Sequence, residues 1–220
     1  MMTQTHGLIA AVLLAGPSRS RTQNWAVLIG SLAPDLAIYA LFVWSKIENI
    51  PERVVWQDIY FAEPMLTLTA IGNSLPLYCG LLFAALFMSL VYTRRLKTIK
   101  PAETSLPLSR APCRLWKLLS QSALALFALA AMTHLLGDFP VHAADAHPHF
   151  WPFSDWRFHS PISYWDQNHY GTIFSYAEAV LGILLSVIVF RRFKSLYVRA
   201  LIALMICAYL VVPLYFSLVL

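Results

Sequence analysis

Long stretches without a charged side chain are the feature that most limits how this chain can fold. No charge occurs in residues 64–93, 118–137 or 200–220. Two further apolar stretches each carry a single acid, Asp35 in one and Glu178 in the other. A helix of about 20 apolar residues crosses the hydrocarbon core of a bilayer. All five stretches reach that length, so the chain is predicted to cross a membrane five times.

The predicted fold class is all-α. Backbone groups in lipid must be hydrogen-bonded within a helix or a closed barrel, and no stretch alternates as a barrel strand does. Only 12% of the residues are charged, against about 25% in soluble domains. We predict one polytopic membrane domain, residues 1–220, built as a helix bundle. Its five spanning helices are predicted at about 24–45, 66–93, 117–137, 171–190 and 198–219.

A shorter apolar segment precedes these spans. A helix from Thr3 to Gly16 would be about 21 Å long, which is less than the thickness of the hydrocarbon core. The segment lacks the basic start and the small-residue cleavage site of a signal peptide. We interpret it as a short helix, at about 4–16, that stays attached and partly penetrates the bilayer.

The basic residues indicate an orientation. Most of the 16 lysines and arginines lie in three places: beside residue 20, within 94–117 and within 191–199. The positive-inside rule puts these three loops in the cytoplasm of a bacterial inner membrane. Both termini, the 46–65 loop and a His- and Trp-rich loop at 138–170 then face outward. The basic loops carry no interleaved aromatic residues, so they predict contact with lipid and not with nucleic acid.

Ionisable residues inside spans indicate a site. Inserting an aspartate in the middle of a spanning helix costs about 2.5–3.5 kcal/mol of free energy on insertion scales, so Asp35 is expected to have a functional role. It directly follows Pro34, which loosens the helix. His6 lies about as far before the first helical hairpin as Asp35 lies after it. Antiparallel helices therefore place His6 and Asp35 at similar depth in the outer half of the membrane.

The end of the fourth predicted span adds two more candidate ligands. His134 and Asp138 are four residues apart and project from one helix face. That span also emerges in the outer half, so His6, Asp35, His134 and Asp138 are predicted to converge. Imidazole and carboxylate groups on helices bind zinc above all, and also manganese or iron. We predict a divalent metal site at the outer membrane face.

Three residues beyond that helix extend the candidate site. His142, Asp145 and His147 are spaced as in a turn that folds back over the site. They could complete the set of metal ligands, hold a second ion, or orient the other ligands. We take His147 as a further metal ligand, and His142 or Asp145 as general base or as the residue that orients it. His149, His159 and His169 are interpreted as solvated loop histidines.

An aromatic run follows, from Phe150 to Tyr170. Trp and Tyr concentrate at membrane interfaces, so the run is typical of an interfacial belt. It is equally consistent with a lid that excludes water from a metal site or receives an acyl chain. The pattern of residues leaves both interpretations open.

With these residues assembled, the chain resembles the YdjM-like family of membrane-bound, metal-dependent hydrolases. The carriers are Thr5-His6, Pro34-Asp35, the H-x-x-x-D from His134 to Asp138, and a WPFS-like turn at 151–154. The same residue types are also similar, more distantly, to those of helical zinc-dependent phospholipases C. In one place the chain departs from the family pattern: Asn73-Ser74 stands where a His-Ser pair is expected, and two potential histidines are absent.

The leading hypothesis is a metal-dependent hydrolase acting on a lipid or on a membrane-proximal ester or phosphoester. The alternative is a membrane protein that binds metal for structure, assembly or sensing. A metal transporter is disfavoured, because such a protein would carry ionisable residues across the whole membrane in several spans. Substrate, metal identity, oligomeric state and pathway are not specified by the sequence.

Overall fold

The computed structural model describes residues 1–99, 119 and 121–219. All regular secondary structure within these residues is helical, which confirms the predicted all-α class. Most of the predicted cytoplasmic loop at 94–117, and the first residues of the predicted span at 117–137, lie outside the described residues. The helices are α1 (Thr3–Leu14), α2 (Arg21–Leu32), α3 (Leu36–Ile47), α4 (Glu52–Val54), α5 (Met65–Gly72), α6 (Leu75–Ile99), α7 (Ala123–Asp138), α8 (Gly171–Arg192) and α9 (Leu196–Val219).

Within the described residues, three helical stretches are long and apolar enough to cross a membrane. They are Arg21–Ile47, which joins α2 and α3, then Leu75–Arg94 of α6, and Gly171–Arg192. Membrane-type helices are thus confirmed for three of the five predicted spans. The predicted span at 117–137 corresponds to the shorter apolar helix Ala123–Asp138, and the predicted span at 198–219 corresponds to α9, of which Leu196–Tyr209 is described in full. Those two crossings stay predictions.

A proline shapes the first long stretch. Helix α2 begins at the capping residue Ser20, whose hydroxyl accepts the Gln23 N–H at 3.2 Å. It gives way at Ala33–Asp35 to one turn of 3-10 helix, and α3 continues from Leu36. Proline has no N–H to donate to the preceding turn, so the regular α-helix is interrupted at Pro34. The interruption places Asp35 opposite helix α7.

The apolar run from 66 to 93 divides into two helices. Helix α5 ends at Gly72 and α6 begins at Leu75. The side-chain amide of Asn73 donates to the Thr69 carbonyl at 3.0 Å, and Ser74 Oγ accepts the Leu77 N–H at 3.2 Å. These contacts satisfy backbone groups that a helix end leaves unpaired. The break matters for the site, because a later loop docks against it.

Helices α1, α2, α7 and α8 surround the buried centre of the molecule. Helices α2 and α7 cross closely at Gly30, where any Cβ would collide with the backbone of Phe127. Below that crossing lies an apolar cluster formed by Ala10, Leu14, Val27, Leu126 and Ala130. Small residues allow helix backbones to approach closely, which is how helices associate in lipid. The residues predicted to bind metal lie at the other end of α1.

Candidate metal centre

Two histidines and one aspartate meet between α1 and α7. We call His6, His134 and Asp138 the ligand group; each offers one atom, these atoms all lie within 4.8 Å of one another, and all three residues are buried. His6 Nε2 lies 2.9 Å from Asp138 Oδ1, and His134 Nε2 lies 2.9 Å from Asp138 Oδ2. Zinc binds such atoms at about 2.0–2.2 Å, so one ion can reach all three after small adjustments. The predicted metal-binding group is confirmed to this extent.

Local sequence explains why these side chains can meet. His134 and Asp138 are one helical turn apart on α7 and lie on one face. The two imidazole rings are stacked, with centroids 3.6 Å apart. A Cβ at Gly137 would lie 3.0 Å from His6 Cε1 and 3.1 Å from His6 Nδ1. Glycine at 137 therefore leaves the space that the His6 ring occupies.

The protonation of His134 can be inferred from its neighbours. Its Nδ1 lies 2.7 Å from the backbone carbonyl of Ser31. A carbonyl only accepts, so Nδ1 carries the hydrogen, and in the neutral ring Nε2 presents a lone pair. That Nε2 is buried without a hydrogen-bond partner among the described residues and faces carboxylate oxygens. A lone pair facing two carboxylates is stabilised only by a cation or proton between them, which fits a metal ligand oriented through its other nitrogen.

Asp35 lies beside the ligand group. Its Oδ1 is 3.5 Å from His134 Nε2, and its Oδ2 accepts a hydrogen bond from Thr3 Oγ1 at 2.5 Å. Residues of α1, of α7 and of the α2–α3 stretch therefore meet at one level, as predicted. Asp35 is not one of the three residues whose ligand atoms mutually approach within 4.8 Å.

His142 contacts the ligand group from the segment after α7. Its Nε2 lies 3.2 Å from Asp138 Oδ1, and its Nδ1 lies 2.9 Å from Asp145 Oδ2. Trp165 Nε1 donates to the same Asp145 oxygen at 3.0 Å. Burial lowers the pKa of His142, but the carboxylates of Asp138 and Asp145 outweigh it and raise the pKa to about 9. Asp145 thus orients His142 towards the ligand group.

His147, predicted as a further metal ligand, lies beside His142. Its ring packs on His142, with centroids 5.1 Å apart, and it is not part of the ligand group. Burial and the neighbouring His142 lower the pKa of His147 to about 3, so its ring is neutral. Among the described residues its ring nitrogens make no hydrogen bond.

The histidines interpreted as solvated divide into two kinds. His159 is exposed and His169 is half-buried, and each ring makes one hydrogen bond, that of His159 with the Ala143 carbonyl and that of His169 with the Asp166 carboxylate. His149 is buried, and its Nδ1 lies 3.2 Å from the carbonyl of Asn73. The interpretation of His149 as a solvated residue was wrong, because the loop that carries it docks onto the break between α5 and α6.

That loop, residues 139–170, is called the cover segment. The Leu75 N–H donates to the His149 carbonyl at 2.8 Å, and Ser74 Oγ donates to the Trp151 carbonyl at 2.6 Å. Residues 141–149 are buried except for Ala144. Tyr164 packs on His142 and Trp165 holds Asp145, whereas the side chain of Phe153 is 83% exposed. The aromatic run therefore supplies both a cover for the site and an exposed apolar rim.

Sequence reasoning assigned no role to Glu178, although a lone acid in a span is a signal of one. Glu178 Oε1 accepts hydrogen bonds from Thr5 Oγ1 and from the Met2 N–H, both at 2.6 Å. Further along α8, Arg192 Nη1 lies within 3.3 Å of three carbonyls at the end of α1, those of Ala11, Val12 and Ala15. Helix α8 thus contacts both ends of α1.

The distance between Glu178 and Arg192 along α8 matches the length of α1. Glu178 and Arg192 are 14 residues apart on α8, about 21 Å at 1.5 Å per residue, and the 12 residues of α1 span about 18 Å. An acid at the N-terminus and a base at the C-terminus of a helix complement its unpaired backbone groups and its dipole. This contact at both ends, which we call the α8 bracket, holds α1 and therefore His6 in place.

Comparison of the chain with protein-family models, curated proteins and solved structures finds no match. The resemblance to the YdjM-like family accordingly stays a prediction.

Proposed function

We propose that this protein is a membrane-bound, metal-dependent hydrolase in which the ligand group of His6, His134 and Asp138 holds a divalent cation. The observation that carries the proposal is the buried Nε2 of His134, which faces carboxylates of Asp138 and Asp35 without a hydrogen bond. Two imidazoles and a carboxylate suit zinc, and three protein ligands leave a position for substrate or water, as in catalytic zinc sites. Manganese and iron accept the same donor types.

Asp35 supports the same centre. Its Oδ2 is held by Thr3, so Oδ1 remains directed at His134 Nε2. We assign Asp35 to the ion as a further carboxylate, either in direct contact or through its effect on His134. A negative charge at this depth in a span is stabilised by a nearby cation.

The residues of this chain then have separate tasks. A divalent cation bound there would supply Lewis acidity, which lowers the pKa of water towards about 7 and polarises an ester oxygen. His142 Nε2 is the proposed general base, and Asp145 Oδ2 orients the ring by accepting from Nδ1. His142 must be neutral to accept a proton. A cation beside Asp138 offsets the carboxylate charge that raises the pKa of His142 to about 9, and so favours the neutral ring.

We further propose that the site lies near the outer face of a bacterial inner membrane. The supports are the three candidate spans and the concentration of basic residues in the loops predicted to be cytoplasmic. Residues from Thr5-His6, Pro34-Asp35 and His134–Asp138 contact one another, which agrees with membership of the YdjM-like family. Where Asn73 replaces a family histidine, the cover segment brings the His149 ring against the Asn73 backbone.

A structural metal is the alternative, and one observation favours it. His6, His134 and Asp138 are only 1%, 0% and 2% exposed, and structural zinc sites are closed to solvent. In that case the cation would hold α1 and α7 together and no substrate would be turned over.

The test begins with metal content. We expect about one zinc, manganese or iron per chain in protein purified in detergent, measured by plasma mass spectrometry. His134→Ala should lose the metal. His159→Ala is the matched control, because His159 is an exposed histidine bonded only to a backbone carbonyl, and it should retain the metal. Wild-type protein without metal would refute the proposal.

Turnover separates the two candidate functions. Metal-loaded protein is assayed on phosphoester and carboxylester substrates, both micellar and water-soluble. Hydrolysis that stops in His134→Ala and persists in His159→Ala supports the hydrolase. A tightly bound ion whose removal lowers the melting temperature, with no hydrolysis of any substrate, supports the structural metal.

A further inference from the structure

A small cleft lies beside Asp145 and His147, two residues that contact His142. It is lined on one side by Tyr60, Phe61 and Leu66 and on the other by Asp145, His147 and Arg157. Since Asp145 holds His142 and His142 contacts the ligand group, this cleft adjoins the proposed site. What lines it determines which substrates are admitted.

Arg157 is the only lysine or arginine among the described residues that line the cleft. It is half-buried, and its Nη1 donates to the Ala146 carbonyl at 3.3 Å. Within the described part of the chain it forms no ion pair, and its remaining donors are unused. A guanidinium presents five N–H donors in a planar fork that matches the oxygens of a phosphate or carboxylate. Arg157 is therefore available to bind an anion.

Two neighbours have hydrogen-bonding capacity to spare. The Tyr60 hydroxyl makes no hydrogen bond to any described residue, and neither do the His147 ring nitrogens. Burial, reinforced by the charge of Asp145, raises the pKa of Tyr60 well above its ordinary value, so the phenol keeps its proton and can donate. A guanidinium and a neutral phenol in one cleft form a site for oxygen atoms that carry negative charge.

Asp145 is the one carboxylate among the described lining residues. Its Oδ2 is already shared by His142 and Trp165, and its Oδ1 has no hydrogen-bond partner among the described residues. Apolar atoms of Phe61 and Leu66 line the same opening, so a ligand there would combine an anionic group with an apolar one.

We propose that the cleft binds the phosphate of a phosphoester carrying an apolar group, with Arg157 as the residue that recognises the anion and Tyr60 as a second donor. This rests on the proposed hydrolase function and names its substrate class. In a phosphoester the negative oxygens are attached to the atom that is attacked, so an anion site beside Asp145, which holds His142, would bring the scissile bond towards the base. A neutral carboxylester has no charge there for Arg157 to bind.

The reaction balances with water as the only co-reactant. Water forms a new P–O bond and passes one proton to His142 Nε2, while the P–O bond to the alcohol breaks. The alcohol oxygen leaves with the bonding electron pair and takes a proton from His142. The products are an alcohol and a phosphate with one ester bond fewer.

The test compares Arg157→Gln, Arg157→Lys and the control Arg53→Gln. Arg53 is an exposed arginine outside the cleft that bonds to Gln57. In Arg157→Gln we expect KM for a phosphoester to rise at least about tenfold, with a much smaller loss of kcat/KM for a neutral carboxylester, whereas Arg53→Gln should leave both activities and the metal content unchanged. Arg157→Lys should recover part of the loss because it restores charge without the fork. Equal loss on both substrates, or none, would overturn the proposal.

A binding measurement tests the anion site in the cleft even if no substrate is hydrolysed. Calorimetry with inorganic phosphate is carried out on metal-loaded wild type, Arg157→Gln and Arg53→Gln. Binding that is weakened about tenfold or more only in Arg157→Gln supports the anion site even without turnover. Equal phosphate binding in all three proteins overturns it, even if the protein hydrolyses carboxylesters. Comparing a phospholipid in mixed micelles with a water-soluble phosphate ester then identifies whether the phosphate comes from a lipid headgroup or a free ester.

Discussion

The two ends of helix α1 have buried residues in opposite surroundings. At the Leu14 end, Ala10, Leu14, Val27, Leu126 and Ala130 pack without a polar side chain between them. At the His6 end, the same helices α1 and α7 bring together two imidazoles and a carboxylate, and several buried polar atoms lack a hydrogen-bond partner among the described residues.

The contrast between the two ends shows that helices α1 and α7 are held by apolar packing at one end and carry the candidate metal ligands at the other. The apolar end is stabilised by contacts between small side chains and has no polar group that a ligand would have to satisfy. Unpaired polar atoms in a buried site cost free energy unless something binds them. The His6 end is therefore the part of the bundle that could hold a metal ion, and substitutions at the two ends should have different effects.

The largest effect is expected for His142→Ala. Loss of the proposed general base should lower the turnover of metal-loaded protein by about 10²–10⁴-fold. Metal content should persist, because His142 is not in the ligand group. Steady-state rates and plasma mass spectrometry measure the two quantities on one preparation. Loss of metal along with activity would show that His142 is itself a metal ligand and belongs to the ligand group.

Asp145→Ala should have a smaller effect of the same kind. Without Asp145 the Nδ1 of His142 loses its acceptor, and residues that orient metal-site histidines are worth about 10–100-fold. We expect turnover to fall within that range while KM changes little. Asp155→Ala is the control, since Asp155 is an exposed aspartate of the same cover segment. A fall of equal size in both variants would contradict the orienting role.

A glycine pair compares the two kinds of helix contact directly. A Cβ at Gly137 would push on the His6 ring, whereas a Cβ at Gly30 would push on the backbone of Phe127. Gly137→Ala should weaken metal binding, about tenfold in a chelator competition. Gly30→Ala should destabilise the protein by about 1–3 kcal/mol with the same metal affinity when folded. If both variants lost metal affinity equally, the distinction between the two ends would fail.

The smallest effect is expected from the α8 bracket. Glu178→Ala removes the acceptor of Thr5 and of the Met2 N–H, so α1 can shift and metal affinity should fall by a few-fold to about tenfold. Glu178→Gln keeps an oxygen acceptor and should restore most of the affinity. Chelator competition on the two variants measures this. Equal affinity in Glu178→Ala and wild type would show that α1 is held by packing alone.

Spacing along a helix made part of the site predictable. His134 and Asp138 are one turn apart, and a hairpin places His6 and Asp35 at similar depth, so four candidate ligands could be named from sequence. Depth in the membrane does not determine the direction in which a side chain points around its helix axis. For this reason the role of the Ser31 carbonyl, which orients His134, was not visible before the helices were packed.

The cover segment was less predictable. Its histidines and aspartates are equally compatible with a solvated loop, and burial of residues 141–149 depends on docking against Asn73 and Ser74. A break between α5 and α6 was not expected in an uncharged run, because apolar composition does not reveal where a helix ends. The pairing of Glu178 with Thr5 joins residues that are far apart in the chain, and no local pattern indicates such a contact.

The sequence by itself determined the all-α class, the membrane-type composition and the chemistry of the candidate ligands, because these follow from residue type and from periods of three to four residues. Tertiary structure decided which ligands share one group, that His142 and not His147 contacts it, and that α8 holds α1 at both ends. Those features depend on helix rotation and on contacts between distant segments, where the free energy is set by packing and by the satisfaction of buried polar atoms.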